Sequence, residues 1–215
     1  MMSCIRKAAL ISILFAVMFS SGLTSCSDDD SSGSYPSMKT ELVEAFTGLD
    51  KTVNSIQFDD GRSYKLSQSI SSSTADTLLR CICSYAYDED THQLSVYSLG
   101  IVPSNNPTAA DSKTACVSGN YKLISSWCSS RYINAYISYQ TTNQGTHHFY
   151  FIEDSLKSNP DGSRTSFVSL FHEQPLEDPE SYTQKIYVSL PTYYYQDKAD
   201  TVHLYIGGKV LTAQP

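Results

Sequence analysis

The stretch His203-Leu204-Tyr205-Ile206-Gly207-Gly208-Lys209-Val210-Leu211-Thr212 ("HLYIGGKVLT") decides the fold class. Two alternating runs of aliphatic, aromatic and polar residues flank a Gly-Gly pair. A two-residue hairpin loop of the common primed type needs positive φ at both central positions, which glycine reaches without steric penalty. The pattern predicts paired strands over Thr201–Ile206 and Lys209–Thr212. Working back along the chain, the same signals recur. Tyr121–Trp127, Arg131–Gln140, His147–Asp154, Thr165–His172 and Gln184–Leu190 are short runs rich in Tyr, Val, Ile, Thr and Phe. Asn143-Gln144-Gly145 and Pro160-Asp161-Gly162 punctuate them. Seven short strands in about a hundred residues fit an immunoglobulin-like β-sandwich.

The preceding segment is also strand-like. Val53–Phe58 and Arg62–Leu66 flank Asp59-Asp60-Gly61, and Thr77–Tyr87 and Gln93–Val102 flank Asp88-Glu89-Asp90-Thr91. Lys39–Phe46 ("KTELVEAF") reads equally as a short helix or as an initial strand. Pro103–Lys113 ("PSNNPTAADSK") has no periodicity and marks a domain boundary or a long crossover. The chain is therefore read as all-β, with a first β domain over 38–103, a linker over 104–113 and a second domain over 114–215.

The N-terminus has a different character. Arg6 and Lys7 precede an apolar run, Ala8–Phe19 ("AALISILFAVMF"), that is too short for a good membrane span. Then comes Leu23-Thr24-Ser25-Cys26, which resembles the lipobox of bacterial lipoproteins at all four positions. That resemblance makes residues 1–25 a lipoprotein signal peptide and Cys26 the acylated first residue of the mature chain, carrying palmitate-type lipid. Two or more acyl chains anchor stably, at about 0.8 kcal/mol per buried methylene. Residues 26–37 ("CSDDDSSGSYPS") are an acidic and Ser-rich segment with nothing to bury, a disordered tether. Asp28, Asp29 and Asp30 are similar to the acidic signal that follows the lipidated cysteine in surface-exported lipoproteins of Bacteroidota. The expected location is the outer membrane, lipid-anchored and facing the cell exterior, with the periplasmic face as the alternative.

Composition narrows the partners. The chain has 15 basic and 22 acidic residues; losing Arg6 and Lys7 with the signal leaves 13 basic against 22 acidic, a net charge of about −9. No Lys/Arg cluster is present, so nucleic acid is not an expected partner. The membrane, through the anchor, and a glycan, a peptide or an envelope protein are.

The order of these pieces resembles the NigD-like lipoproteins of Bacteroidota. The resemblance is carried by the lipobox and by "SSWCSSRYINAYISYQ" (Ser125–Gln140), "HHFYFIED" (His147–Asp154) and "SFVSLFHE" (Ser166–Glu173). Trp127 and the triplet Tyr132-Ile133-Asn134 are its landmarks. It implies a small N-terminal OB-like barrel ahead of the sandwich and an association with bacteriocin gene clusters. A bacteriocin-associated immunity or sequestration protein is the alternative to a general binding module.

No catalytic motif is found: the chain has no Gly-x-Ser-x-Gly elbow, no His-Glu-x-x-His and no phosphate-cradling or dinucleotide glycine loop. A non-enzyme with no cofactor and no metal is expected; a hydrolase or metal protein is the less favoured reading. Cys81 and Cys83 lie two apart on a strand and face one way, about 6.6 Å apart at Cα with parallel side chains, so burial is preferred to a bond between them. Cys116 and Cys128 enclose a short segment. They form a disulfide, are buried, or are free thiols. His147 and His148 are neighbours on a strand and point to opposite faces, so they do not share an ion; His148 could meet His172 or His203 across strands. Asp88-Glu89-Asp90 and Glu177-Asp178-Pro179-Glu180 lack the spacing of a calcium loop. Of the sixteen tyrosines, Tyr193, Tyr194 and Tyr195 form the densest cluster and a candidate ligand-contact surface.

Overall fold

In the computed structural model, described for residues 37–66, 68–109, 119–142, 144–175 and 182–215, the chain is all-β. The expected signal peptide, Cys26 and Asp28–Asp30 lie outside the described residues, as do Cys116, Asn143 and the acidic group Glu177–Glu180.

Five strands form the first sheet: β1 (Lys39–Thr47), β2 (Val53–Phe58), β3 (Ser63–Lys65), β4 (Leu78–Asp88) and β5 (Gln93–Ile101). All pairings are antiparallel in the order β3-β2-β1-β4-β5, so β1 is central. That order, with β1 between β2 and β4, is the strand order of an OB-like barrel opened between β3 and β5. Irregularities at Phe46/Thr47 and Ser84/Tyr85 shift the register and curl the sheet. The concave face holds Val43, Ala45, Ile56, Phe58, Cys81, Cys83 and Tyr85, all buried.

The segment Lys39–Phe46 is a strand. Its two faces explain why: Val43 and Ala45 enter the barrel core while Leu42 and Glu44 are buried on the opposite side. A helix would not split these four residues between two buried layers.

The second part is a sandwich. One sheet has the order β11-β8-β7, made of β7 (Tyr121–Cys128), β8 (Tyr132–Thr141) and β11 (Tyr182–Pro191). The other has the order β13-β12-β10-β9-β6, with β6 (Thr108–Ala109), β9 (His148–Ser158), β10 (Arg164–Glu173), β12 (Thr201–Ile206) and β13 (Lys209–Ala213). Ile133, Ala135, Ile137, Val188 and Leu190 from the first sheet pack with Phe149, Phe151, Val168, Leu170, Val202 and Leu204 from the second. The Gly207-Gly208 hairpin forms as expected, with φ of +54° at Gly207 and +77° at Gly208, and Ile206 opposite Lys209. The connections are not all hairpins: the chain passes from one sheet to the other between β8 and β9 and again after β10. After β10 the chain crosses to the other sheet as β11 and returns through a short 3-10 turn, Tyr193–Tyr195. β12 therefore lies parallel to β10.

Cys81 and Cys83 are unbonded and buried on the inward face of β4. Burial raises both thiols to a pKa of about 11, so neither is a thiolate near neutrality. Iodoacetamide applied to the native protein at about pH 8 should leave both unmodified while labelling them fully in urea. Peptide mapping by mass spectrometry reads the result, and rapid native labelling of either would contradict this packing.

Candidate functional site

Strand β8 places the site because its period of two separates its side chains cleanly. Ile133, Ala135 and Ile137 enter the sandwich core, while Tyr132, Asn134 and Tyr136 face away from it. Tyr132 and Asn134 are nevertheless buried, at 1% and 0% exposure, because the outer face of β1 and β4 covers them.

The centre of this contact is Arg80, whose side chain is 1% exposed. Its Nη1 and Nη2 donate to the two carboxylate oxygens of Asp59 at 2.6 and 2.8 Å. Nη2 also donates to Asn134 Oδ1 at 3.1 Å, Nε donates to Ser189 Oγ at 3.4 Å, and the guanidinium lies 4.0 Å from the ring centre of Tyr132. Ser189 Oγ donates to Asn134 Oδ1 at 2.7 Å, closing the network. A second buried charge sits beside it. Glu44, 3% exposed, accepts from Tyr132 Oη at 2.7 Å and from Arg131 Nε at 2.9 Å. Burial, and then the Glu44 carboxylate, hold the Tyr132 phenol well above its ordinary pKa, so it stays a donor.

Where this polar network ends a groove begins. One cavity of about 260 Å³ is lined by Thr40, Glu41, Leu42, Asp59, Ile82, Trp127 and Tyr187. A second, of about 450 Å³, is lined by Ile82, Ile101–Pro103, Tyr136, Tyr139, His147, Phe149 and Lys185–Tyr187. They share Ile82 and Tyr187. Between them stands a rank of three aromatic rings from three strands. Tyr136 stacks on Tyr187 at 4.5 Å with 22° between planes, and Trp127 meets Tyr187 edge-on at 6.2 Å. Trp127 is 38% exposed. Stacked and edge-on rings beside hydroxyl and carboxylate groups make an amphipathic surface. The carboxylates here are already engaged: Asp59 by Arg80, and Glu41 by Tyr85 Oη and by Arg62 at 3.3 Å.

The far end of the larger cavity meets a histidine pair. His172 Nδ1 lies 3.2 Å from the Asn120 carbonyl, which only accepts, so this nitrogen carries the proton. His172 Nε2 then accepts from His147 Nδ1 at 2.8 Å, and His147 Nε2 accepts from Thr141 Oγ1 at 3.1 Å. His172 stacks on Phe149 at 4.4 Å. Burial and then His147 lower the pKa of His172. Thus His147 meets His172, whereas His148 is exposed and stacks on Tyr150, and His203 bonds Thr212. Among the described residues no group of three or more His, Cys, Asp or Glu is placed to hold a metal ion.

The tyrosine cluster has structural partners. Tyr193 packs edge-on against Tyr132 and lies under the Arg131 guanidinium, and Tyr194 lies under Lys198 Nζ at 3.3 Å. Tyr195 is fully buried, with its phenol beside Ser166 and Glu153, and burial raises its pKa. Cys128 is exposed, and its thiol lies 3.6 Å from the Thr212 carbonyl. The residues that make the site and that sequence reading passed over are Arg80, Asp59, Glu44 and Tyr187. Their signal was faint: Arg80 and Glu44 are single charges in the middle of apolar strand runs.

No protein-family model and no curated protein sequence matches the chain. Solved structures do. A NigD-like immunity protein from Bacteroides caccae superposes with a TM-score of 0.61 at 20% identity, covering 84% of this chain and 94% of its own. A candidate toxin-related protein from Parabacteroides distasonis gives 0.57 at 12% identity over 83% and 92%. A candidate lipoprotein from Bacteroides fragilis gives 0.52 at 12% over 83% and 98%. The architecture is thus similar to that of NigD-like proteins, as the core stretches implied, and the likeness extends over nearly the whole of those chains. Among the described residues no helix is long and apolar enough to cross a membrane.

Two outcomes follow from the geometry. Arg80→Met strands Asp59 beside a buried surface and should lower stability by about 3 kcal/mol in urea unfolding, whereas Arg62→Ala, at an exposed pair, should leave the midpoint nearly unchanged. Equal effects would deny Arg80 its role. The second concerns pH. The unfolded chain takes a proton on His172 near the usual 6.5 and the folded one only at lower pH. Stability therefore falls as pH drops through that value. Thermal midpoints measured between about pH 7 and about pH 5 should decline, and His172→Gln should flatten the decline.

Proposed function

We propose that this chain is a lipid-anchored cell-envelope protein that acts as a non-catalytic binding module through the groove between its two β cores. Cys26 would anchor it in the outer membrane, and Asp28–Asp30 would direct it to the exterior. The observation that carries the reading is the rank Trp127–Tyr187–Tyr136, which stands at the mouth of two cavities next to the strands that the Arg80 network ties together. Partly exposed aromatic rings on a rigid support are what a binding surface uses, because little side-chain freedom is lost on contact. Envelope glycans, peptides and envelope proteins all suit such a surface.

A narrower reading is supported by the architecture it shares with the NigD-like immunity protein. In it the groove sequesters an antibacterial peptide at the cell surface before the peptide reaches its target. The third and least favoured reading is a hydrolase or metal protein.

The test uses full-length protein in detergent, screened against a glycan array and against synthetic envelope and bacteriocin-like peptides. Trp127→Ala and Tyr187→Ala should each weaken the binding found by about tenfold or more. Unchanged binding in both variants would remove the groove from the function. Cys26→Ala should shift the protein from the membrane to the soluble fraction.

A further inference from the structure

Strand β11 is an edge: it pairs with β8 on one side only. In an antiparallel ladder, successive residues direct their N–H and C=O alternately toward the partner and away from it. Two bonds set the parity here. Thr192 N–H donates to the Arg131 carbonyl at 2.8 Å, extending the β8 ladder, so even-numbered positions face β8. Ser189 N–H donates to the Pro103 carbonyl at 3.0 Å, on the opposite side. Ser189, Tyr187 and Lys185 therefore direct their main-chain groups outward.

Among the described residues, only the first of these outward positions is occupied. The chain at Ile101–Pro103 makes one rung with Ser189 and then leaves for the other sheet, where Thr108 and Ala109 pair with Ile152 and Glu153 of β9. Among the described residues, no main-chain hydrogen bond from outside the sheet reaches Tyr187 or Lys185. The cavity of about 450 Å³ lies along this open stretch. An added strand would send alternate side chains into two settings: toward Ile186, Tyr139 and Phe149 at the opening of the sandwich, and toward the stacked Tyr136 and Tyr187 on the outer face.

We propose that the free edge of β11 at Lys185 and Tyr187 takes up an extended segment of a partner polypeptide as an added strand, continuing the rung that Pro103 begins. The proposal rests on the groove reading above and names the chemistry of its ligand. A polypeptide matches because it carries a donor and an acceptor at every second residue, at the repeat of the exposed rail. The segment has an apolar side chain for the sandwich opening and a carboxylate for Lys185, which is exposed and makes no ion pair among the described residues. A second copy of this chain fits less well. The strand it would offer, Tyr182–Pro191 ("YTQKIYVSLP"), has no carboxylate to meet Lys185, and an edge lysine opposes self-pairing.

The full-length chain in detergent is panned against a phage-displayed random dodecapeptide library, and enriched peptides are synthesised and titrated by calorimetry. The expected peptides carry apolar and acidic residues. N-methylation of residues of one parity should weaken them about tenfold or more, and methylation of the other parity should not. Lys185→Pro removes an outward N–H and spares the β8 rungs of Gln184, Ile186 and Val188, so it should cause the same loss. If that variant does not fold, Lys185→Glu reads the site instead, by rejecting the acidic peptides. Absence of enriched peptides, or enriched peptides indifferent to methylation parity, overturns strand addition. So does a chain that self-associates and becomes monomeric in Lys185→Pro. Peptides that depend on Trp127 without a methylation parity, or glycan binding alone, would overturn this inference and leave the binding groove standing.

Discussion

The arrangement of this protein depends on one buried cation. Moving a guanidinium out of water costs several kcal/mol, and the cost is offset only when its donors are met with good geometry. Arg80 has such geometry: both terminal nitrogens on Asp59, further contacts to Asn134 and Ser189, and the face of Tyr132 beneath it. Those partners come from the turn after β2, from β8 and from β11. A small rotation between the two β cores would leave a charge buried and unpaired, so the network selects one relative placement. Lysine could not substitute, because a point charge has no fork to bind a carboxylate in two places while stacking on a ring. Glu44 repeats the logic with opposite sign through Tyr132 and Arg131.

The same network decides where the surface opens. Along β8 the outward side chains run Tyr132, Asn134, Tyr136, and along β11 they run Ser189, Tyr187, Lys185. The first members are sealed by Arg80 and Glu44; the later ones emerge at the groove. The aromatic rings at its mouth are thus supported at one end by a rigid polar joint and remain available at the other. The strap at Ile101–Pro103 has a similar double effect. It satisfies Ser189 and then departs, because proline at 103 has no N–H to offer a continuing ladder, and among the described residues the next two outward positions of β11 stay open.

Much of the strand pattern was legible. Gly207-Gly208, Asp59-Asp60-Gly61 and Pro160-Asp161-Gly162 announce their turns because positive φ is chemically expensive for other residues. Cys81 and Cys83 were readable as an inward pair from the strand period alone. Lys39–Phe46 was ambiguous because a strand buried on both faces loses the alternation that identifies it. The site was far less visible. Arg80 in "TLLRCICSYAY" and Glu44 in "KTELVEAF" look like solvated outward residues unless the layer covering that face is known. The histidine contact was readable only in part: His172 was a candidate partner, but which of two adjacent histidines reaches it depends on where β9 begins. The tyrosine cluster attracted notice by its density, whereas the rings that line the groove are dispersed at Trp127, Tyr136 and Tyr187, and only sheet register brings them together.

The amino-acid sequence alone determines the all-β class, the hairpins and the inward faces, because turn geometry and side-chain period act over a few residues. The tertiary structure decides which outward faces are covered, which charges are buried and which main-chain edge is left unpaired. Those outcomes are set by contacts between strands far apart in the chain, such as Arg80 with Asn134 and Ser189 or Tyr136 with Tyr187. No local propensity encodes them: burial of a polar group is favoured only once its distant partner is in place.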